Sequence, residues 1–233
     1  MTKLSGSDDR PKYYVYVSDT KIDMIFAQVP QKLRDRLAAE LRLDLKVVSL
    51  TLKENPSDQN RYTRTRIVGE YLSGREMVGT LDEPASYFRA TMTMEWMCID
   101  SYNGETPRIV YFTGVHESVV VGLTGSYHHV VGQAPSVMQE VGPGPSYLTA
   151  GSLPVIARYL RADEPEDLED VGNLMEIIAG YAGRSMEGDR GVGYRNVFNP
   201  LQECEFLARL LWRGSRENQI ILLGSPLYVT LVD

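Results

Sequence analysis

The chain has few cysteines and no long apolar run. Its two cysteines, Cys98 and Cys204, are far apart and form no CxxC pair, so neither a disulfide framework nor a zinc site is expected. We interpret both as small buried hydrophobic residues. The apolar runs have strand length, well below the ~20 residues of a membrane-spanning helix. The first ten residues lack the apolar stretch of a signal peptide, so we expect a cytoplasmic protein without a membrane span.

The acidic balance of the chain limits its partners. The formal net charge of −7 repels phosphate backbones, so nucleic-acid binding over a wide face is not expected. A small anionic ligand in a local pocket is compatible with this charge. The sequence also holds a short basic stretch, and such a stretch is more often a solvated helix face than a binding site. Its members are Arg61, Arg64, Arg66 and Arg75.

The first quarter of the chain predicts a β-α-α-β arrangement. Residues 1–12 show no periodic pattern and are predicted to be a flexible arm. Apolar and β-branched periodicity then predicts the four elements. They are a strand over Tyr13–Val17, a helix capped within Ser18–Thr20, a second helix opened by Pro30, and a strand over Leu45–Leu52.

The middle of the chain predicts one helix followed by a meander of three strands. The helix covers Arg61–Leu72, and the strands cover Tyr87–Ile99, Ile109–Phe112 and Ser118–Leu123. Between the last two strands, Thr113–Glu117 has the length and glycine content of a hairpin loop.

The last hundred residues predict loops and helices before a final strand. The stretch 132–151 is rich in glycine and proline and is predicted to be a long loop, either functional or mobile. A second loop is predicted over 185–197, and helices are expected to open at Pro154, Pro165 and the capping pair Asn199-Pro200. Strands over Ile220–Leu223 and Leu227–Val232 end the chain, with a bulge or interruption between them.

These elements predict an α+β fold. We expect one domain over residues 13–233, with a mixed or antiparallel central sheet, helices packed on it, and a mainly helical region over 152–213. Strands Tyr13–Val17 and Val119–Leu123 are expected to share this sheet, because both are apolar enough for central positions. If the last strand did not return to the first sheet, residues 152–213 would form a subdomain.

The first candidate site follows the first predicted strand and contains Ser18, Asp19, Lys21 and Asp23. Ligands collect at the carboxyl ends of strands, and a helix N-terminus offers free N–H groups to anions. Lysine in the first turn also faces the unfavourable end of the helix dipole, which suggests a compensating anion. The alternative is that Ser18 or Asp19 caps the helix while Lys21 and Asp23 are solvated.

The second candidate site is the stretch that contains Gly122, Gly125, Ser126, His128 and His129. Its glycines would let backbone amides approach a phosphate or carbonyl closely. The stretch is neither a Walker A loop nor a GxSxG elbow. Adjacent histidines point to opposite sides of a strand, so at most one is expected to face a pocket. The alternative is a tight turn with a packing histidine.

Outside these two segments the sequence offers few residues that could form a binding or catalytic site. The histidines have no metal-ligand spacing, so no metal or other cofactor is expected. The interruption at Gly224–Pro226 could line a pocket, although such breaks are more often bulges at a sheet edge.

Three motifs give the chain a resemblance to an uncharacterised family of bacterial, largely actinobacterial, proteins. They are YVYVSDTKIDM at 14–24, VVGLTGSYHH at 120–129 and LLGSPLYV at 222–229. The family's glycine loop usually reads GLGGS, whereas Thr124 stands here in place of the middle glycine. The resemblance implies a component of bacterial conflict systems, similar to domains beside caspase-like peptidases and repeat proteins. In such a system the chain would be a sensor or adaptor with a protein partner.

The sequence therefore favours a cytosolic sensor or adaptor that holds a small anionic, nucleotide-like ligand between the two candidate sites. One alternative is a hydrolase or nucleotide-processing enzyme that uses His129 as acid or base and Lys21 for charge stabilisation. Another is a purely structural interaction domain. An enzyme is disfavoured because no nucleophile, base and orienting group occur in recognisable spacing.

Overall fold

The computed structural model describes residues 12–48, 56–99, 109–132, 198–216 and 218–232. Strand is the most frequent secondary structure in these residues. The helices are α1 (Asp19–Phe26), α2 (Gln31–Val48) and α3 (Pro56–Ser73). The strands are β1 (Tyr13–Val17), β2 (Val78–Gly79), β3 (Tyr87–Ile99), β4 (Ile109–His116), β5 (Val119–Ser126), β6 (Phe198–Arg216) and β7 (Gln219–Leu231), and a 3-10 turn covers Tyr127–His129. Within these ranges no helix is long and apolar enough to cross a membrane.

Five of the strands close into a barrel. β4 pairs antiparallel with β3 and with β5, and β5 runs parallel to β7. β6 completes the ring because it pairs antiparallel with both β7 and β3. The predicted α+β fold, a central sheet carrying helices and a helical C-terminal section, is therefore wrong: the chain forms a closed five-stranded barrel and ends in strand.

The largest error concerns β6, which the sequence predicted as a helix beginning at Asn199-Pro200. Cys204, Phe206 and Ala208 point into the barrel, while Leu207 packs outside it against residues of α1 and α3. A strand that is apolar on both faces loses its period-two signal and resembles a helix in sequence. Pro200 lies where the pairing of β6 with β3 shifts register, and a bulge tolerates a residue without an N–H donor.

Two smaller predictions also need correction. The strand predicted over Leu45–Leu52 is helical as far as Val48, where α2 ends, and its remainder lies outside the described residues. The predicted hairpin loop Thr113–Glu117 is mostly strand, since β4 continues to His116. A short turn at Glu117 and Ser118 joins β4 to β5, and Glu117 adopts a φ of 52° there.

Several predictions are confirmed. The strand Tyr13–Val17, the helix over Arg61–Leu72 and the strand Tyr87–Ile99 are present as β1, within α3 and as β3. β1 and β5 belong to one sheet, with β7 between them. The chain's last strand pairs with its first, and the expected bulge in it lies near Leu227, where the pairing with β6 skips a residue.

Other predictions fall outside the described residues. They concern the arm over 1–11, the loop over 133–151, the helices opening at Pro154 and Pro165, and the loop over 185–197. The interpretation of Cys204 as a buried residue is confirmed. The division into one domain stays a prediction.

Two apolar clusters lie on opposite sides of the barrel wall. The inner cluster fills the barrel and includes Tyr16, Phe88, Phe112, Leu123, Phe206 and Val229. The outer cluster joins Val17, Leu207, Leu227 and Tyr228 of the strands to Ile22 of α1 and to Val68 and Leu72 of α3. Burial of this second cluster fixes α1 against the bulge of β7.

Candidate anion-binding site

The first predicted site lies at the junction of β1 and α1, and it packs against the bulge of β7. Ser18 is buried, and its backbone N–H donates to the carbonyl oxygen of Leu227 at 2.8 Å. The side chain of Ser18 makes no capping hydrogen bond, so the structure does not support capping by this residue. The backbone bond instead ties the start of α1 to β7.

Lys21 extends from the first turn of α1 onto β7. Its Nζ donates to Oγ of Ser225 at 2.5 Å and to the carbonyl oxygen of Pro226 at 3.0 Å. The side chain is buried at 8% exposure, so the alternative of a solvated lysine is wrong. Burial, and then the positive charge of Arg209, lower the pKa of Lys21 from 10.5 to about 7.

The two carboxylates of this segment face α3. Asp19 forms an ion pair with Arg61, with 2.8 Å between Oδ1 and Nε, and Asp23 accepts a hydrogen bond from Arg64 at 2.5 Å. Arg61 also donates to the carbonyl oxygen of Val17 at 2.9 Å. Part of the predicted solvated basic face therefore makes tertiary contacts, and Asp19 and Asp23 hold α1 to α3.

The glycines of the second predicted site lie within β5. A Cβ atom on Gly125 would stand 2.5 Å from the hydroxyl of Tyr16, and one on Gly122 would stand 2.8 Å from the hydroxyl of Tyr111. Both glycines pair with β4, as the flanking residues of β5 do. Their small size makes room for two tyrosine rings, which explains these glycines without a phosphate.

His129 is the member of the second site that approaches the first. Its Nδ1 lies 3.9 Å from Oδ2 of Asp19, and its ring meets the edge of Tyr16 at a centroid distance of 5.9 Å. Burial lowers the pKa of His129 to about 4, helped by the charges of Lys21 and Arg61. His128 is exposed, so the two adjacent histidines lie in different environments. Ser126, the last residue of β5, pairs with Ile109 of β4.

Sequence reasoning missed two polar partners of Lys21. Ser225 was noted only as part of the strand interruption, and Arg209 lay inside a predicted helix. The register of β6 and β7 places Arg209 directly opposite Ser225. Arg209 is exposed, and no described residue forms a hydrogen bond or ion pair with its guanidinium group. The cross-strand pair could have been found only with the correct assignment of β6.

The described part of the chain contains no group of three histidine, cysteine, aspartate or glutamate side chains that could hold a metal ion. Lys21 and Arg209 supply two neighbouring basic groups to the site, and a histidine that is neutral at pH 7 and a serine hydroxyl lie beside them. Such a group can bind an oxyanion through charge and N–H donors.

In the described residues, the fold is a closed five-stranded barrel with three helices, and a buried lysine lies at the bulge of β7. Residues 12–233 match the model of a family of unknown function, DUF7019, and the chain belongs to that family. No curated protein and no solved structure matches the chain. Membership of an uncharacterised family is thereby confirmed.

Proposed function

We propose that the protein is a sensor or adaptor module that binds a small molecule through an anionic group at Lys21. The observation that carries the proposal is a buried ammonium group whose hydrogen bonds, within the described residues, go to the neutral oxygens of Ser225 and Pro226. A lysine ammonium has three N–H donors, so one stays available for a ligand oxygen. A buried charge without a counter-ion is costly, and a bound anion would reduce that cost.

The surroundings of Lys21 favour an anion over any other ligand charge. The charge of Arg209 helps to lower the pKa of Lys21, and the charge of Lys21 helps to lower the pKa of His129. The nearest carboxylate to His129, that of Asp19, is already paired with Arg61. An oxyanion placed between Lys21 and Arg209 would therefore be attracted by both cations.

The ligand is small and the role is regulatory in this proposal. The net charge of −7 opposes binding of a long polyanion, while a single phosphate or carboxylate feels mainly the local cations. A place in a bacterial conflict system, with a protein partner that responds to the bound ligand, is supported by the sequence resemblance alone.

The test is a binding measurement with defined anions. Inorganic phosphate, acetate and AMP are titrated into the protein by calorimetry, and the melting temperature is followed in parallel. We expect at least one of these anions to bind and to raise the melting temperature, because ligands that bind only the folded state stabilise it. Lys21→Met and Arg209→Gln should each weaken binding about tenfold or more, which matches loss of one charged hydrogen bond.

Arg213→Gln is the matched control for this experiment. Arg213 also lies on β6, but its guanidinium group donates to the carbonyl oxygen of Asp82 at 3.4 Å, away from the site. Its replacement should leave anion binding unchanged. The proposal is wrong if no anion binds, or if Arg213→Gln weakens binding as much as Arg209→Gln does.

A second candidate function is enzymatic and rests on the contact between Lys21 and Ser225. A lysine whose pKa lies near 7, within 2.5 Å of a serine hydroxyl, could remove its proton and make it a nucleophile. His129 is a weaker candidate base because its pKa lies near 4. Against this function, the hydroxyl of Ser225 accepts from Nζ of Lys21 and donates to the carbonyl oxygen of Thr124 at 3.3 Å, so its proton is directed away from the lysine. Labelling of Ser225 by a fluorophosphonate probe, lost in Lys21→Met, would favour this function over binding alone.

A further inference from the structure

Strand pairing places an aromatic ring next to the two cations of the site. Arg209 of β6 lies directly opposite Tyr87 of β3 on one side and Ser225 of β7 on the other. The next residues of β3 and β7, Phe88 and Gly224, meet inside the barrel, so Tyr87 and Ser225 face outwards. Neighbouring strands are ~4.8 Å apart, which puts Tyr87, Arg209 and Ser225 in one continuous row.

We infer that the small molecule bound at Lys21 carries an aromatic ring as well as its anionic group, as a nucleoside monophosphate does, and that this ring stacks on Tyr87. The inference rests on the proposed anion site. The anion would lie between Lys21 and Arg209, and the aromatic ring would extend from there across the row towards β3.

Tyr87 is suited to hold such a ring. It is partly buried and packs against the outer cluster of Val17, Leu207 and Tyr228, so its position is fixed by neighbours. Tyr87 is not fully buried, and its cross-strand neighbour Arg209 is exposed. Nucleic-acid bases stack on such tyrosine rings, and an adjacent arginine can contact both the phosphate and the ring face.

The rings of two other tyrosines at the outer cluster are already in contact with an aromatic ring or a guanidinium group. Tyr14 stacks on Tyr62 with 4.7 Å between centroids, and the guanidinium group of Arg75 lies over the ring of Tyr71 at 4.9 Å. Neither pair lies opposite Arg209 in the strand register. Tyr87 is therefore the aromatic residue that the sheet itself positions beside the cations.

The experiment compares ligands that share a phosphate and differ in the ring. AMP and ribose 5-phosphate are titrated by calorimetry into the wild-type protein, Tyr87→Leu and Tyr71→Leu, with melting temperatures as a check on folding. We expect AMP to bind the wild type about tenfold more tightly than ribose 5-phosphate does, a typical gain from one stacked base. Tyr87→Leu should remove this difference and leave the affinity for ribose 5-phosphate unchanged.

Tyr71→Leu is the matched control, because Tyr71 also packs at the edge of the outer cluster but lies on α3. It should preserve the preference for AMP. Equal affinities of AMP and ribose 5-phosphate for the wild type would overturn the inference while leaving the anion site intact, and this comparison needs no variant. Absence of binding by both ligands, by inorganic phosphate and by acetate would overturn the anion site itself, and the inference with it.

Discussion

Replacing Lys21 with methionine is expected to stabilise the ligand-free protein below pH 7. The side chain is 8% exposed, and folding lowers its pKa from 10.5 to about 7. Since each pKa unit corresponds to ~1.4 kcal/mol, keeping the buried amine charged costs on the order of 5 kcal/mol. The cost is complete below pH 7, where the folded and unfolded states are both protonated, and it is lost as the pH rises to 10.5.

Methionine keeps most of the apolar stem but cannot donate to Ser225 or to the carbonyl oxygen of Pro226. The loss of these two hydrogen bonds should cost ~1 kcal/mol each. The free energy of unfolding of Lys21→Met should therefore exceed that of the wild type by about 3 kcal/mol at pH 6 and fall about 1 kcal/mol below it at pH 10.

Urea denaturation followed by circular dichroism at pH 6, 8 and 10 measures this difference directly. Lys32→Met is the control, because Lys32 is exposed on α2 and its replacement should change stability little at any of these pH values. A difference between Lys21→Met and the wild type that is the same at all three pH values would refute the reasoning, since no buried titration would then be linked to folding.

Two further substitutions and one labelling experiment test the packing around the site and inside the barrel. Folding lowers the pKa of His129 to about 4, so the wild type should lose stability on the order of 3 kcal/mol as the pH falls from 6.5 to 4. In His129→Gln this loss should be absent. Gly125→Ala should destabilise the protein by about 1 to 3 kcal/mol in urea, because the new Cβ would lie 2.5 Å from the hydroxyl of Tyr16. In a Cys98→Ser background, Cys204 should resist thiol reagents at pH 8, because burial raises its pKa to about 11.

Each of these predictions has a control. His116→Gln changes an exposed histidine and should leave the acid dependence of stability as in the wild type. Gly69→Ala, on α3, meets only the flexible end of Arg89 at 3.3 Å and should be neutral or stabilising. An unchanged acid profile in His129→Gln, a tolerated Gly125→Ala, or rapid labelling of Cys204 would each contradict the packing described for that residue.

The sequence by itself determined the elements whose pattern is local. β1, β3 and the helix α3 follow from runs of β-branched, aromatic or periodic apolar residues. The structure contains β1 and β3 at the predicted bounds, whereas α3 begins at Pro56, five residues before the predicted start. The two candidate segments could also be recognised, because a polar cluster after a strand and a glycine-rich strand end stand out in the chain. Lys21 and His129 lie close enough for the charge of Lys21 to help lower the pKa of His129.

Only the tertiary structure decided the fold class and the composition of the site. Closure of the barrel depends on pairing between β3 and β6, which are separated by about a hundred residues, and no local pattern encodes that register. Burial on both faces gave β6 the apolar periodicity of a helix, and this hid Arg209 opposite Ser225. The role of Gly125 was equally hidden, because the space it leaves is filled by Tyr16, a residue of β1 that lies more than a hundred positions earlier in the chain. Hydrogen-bond register and close packing join residues that are distant in the chain, and these contacts bring His129 to Asp19 and Arg209 opposite Ser225.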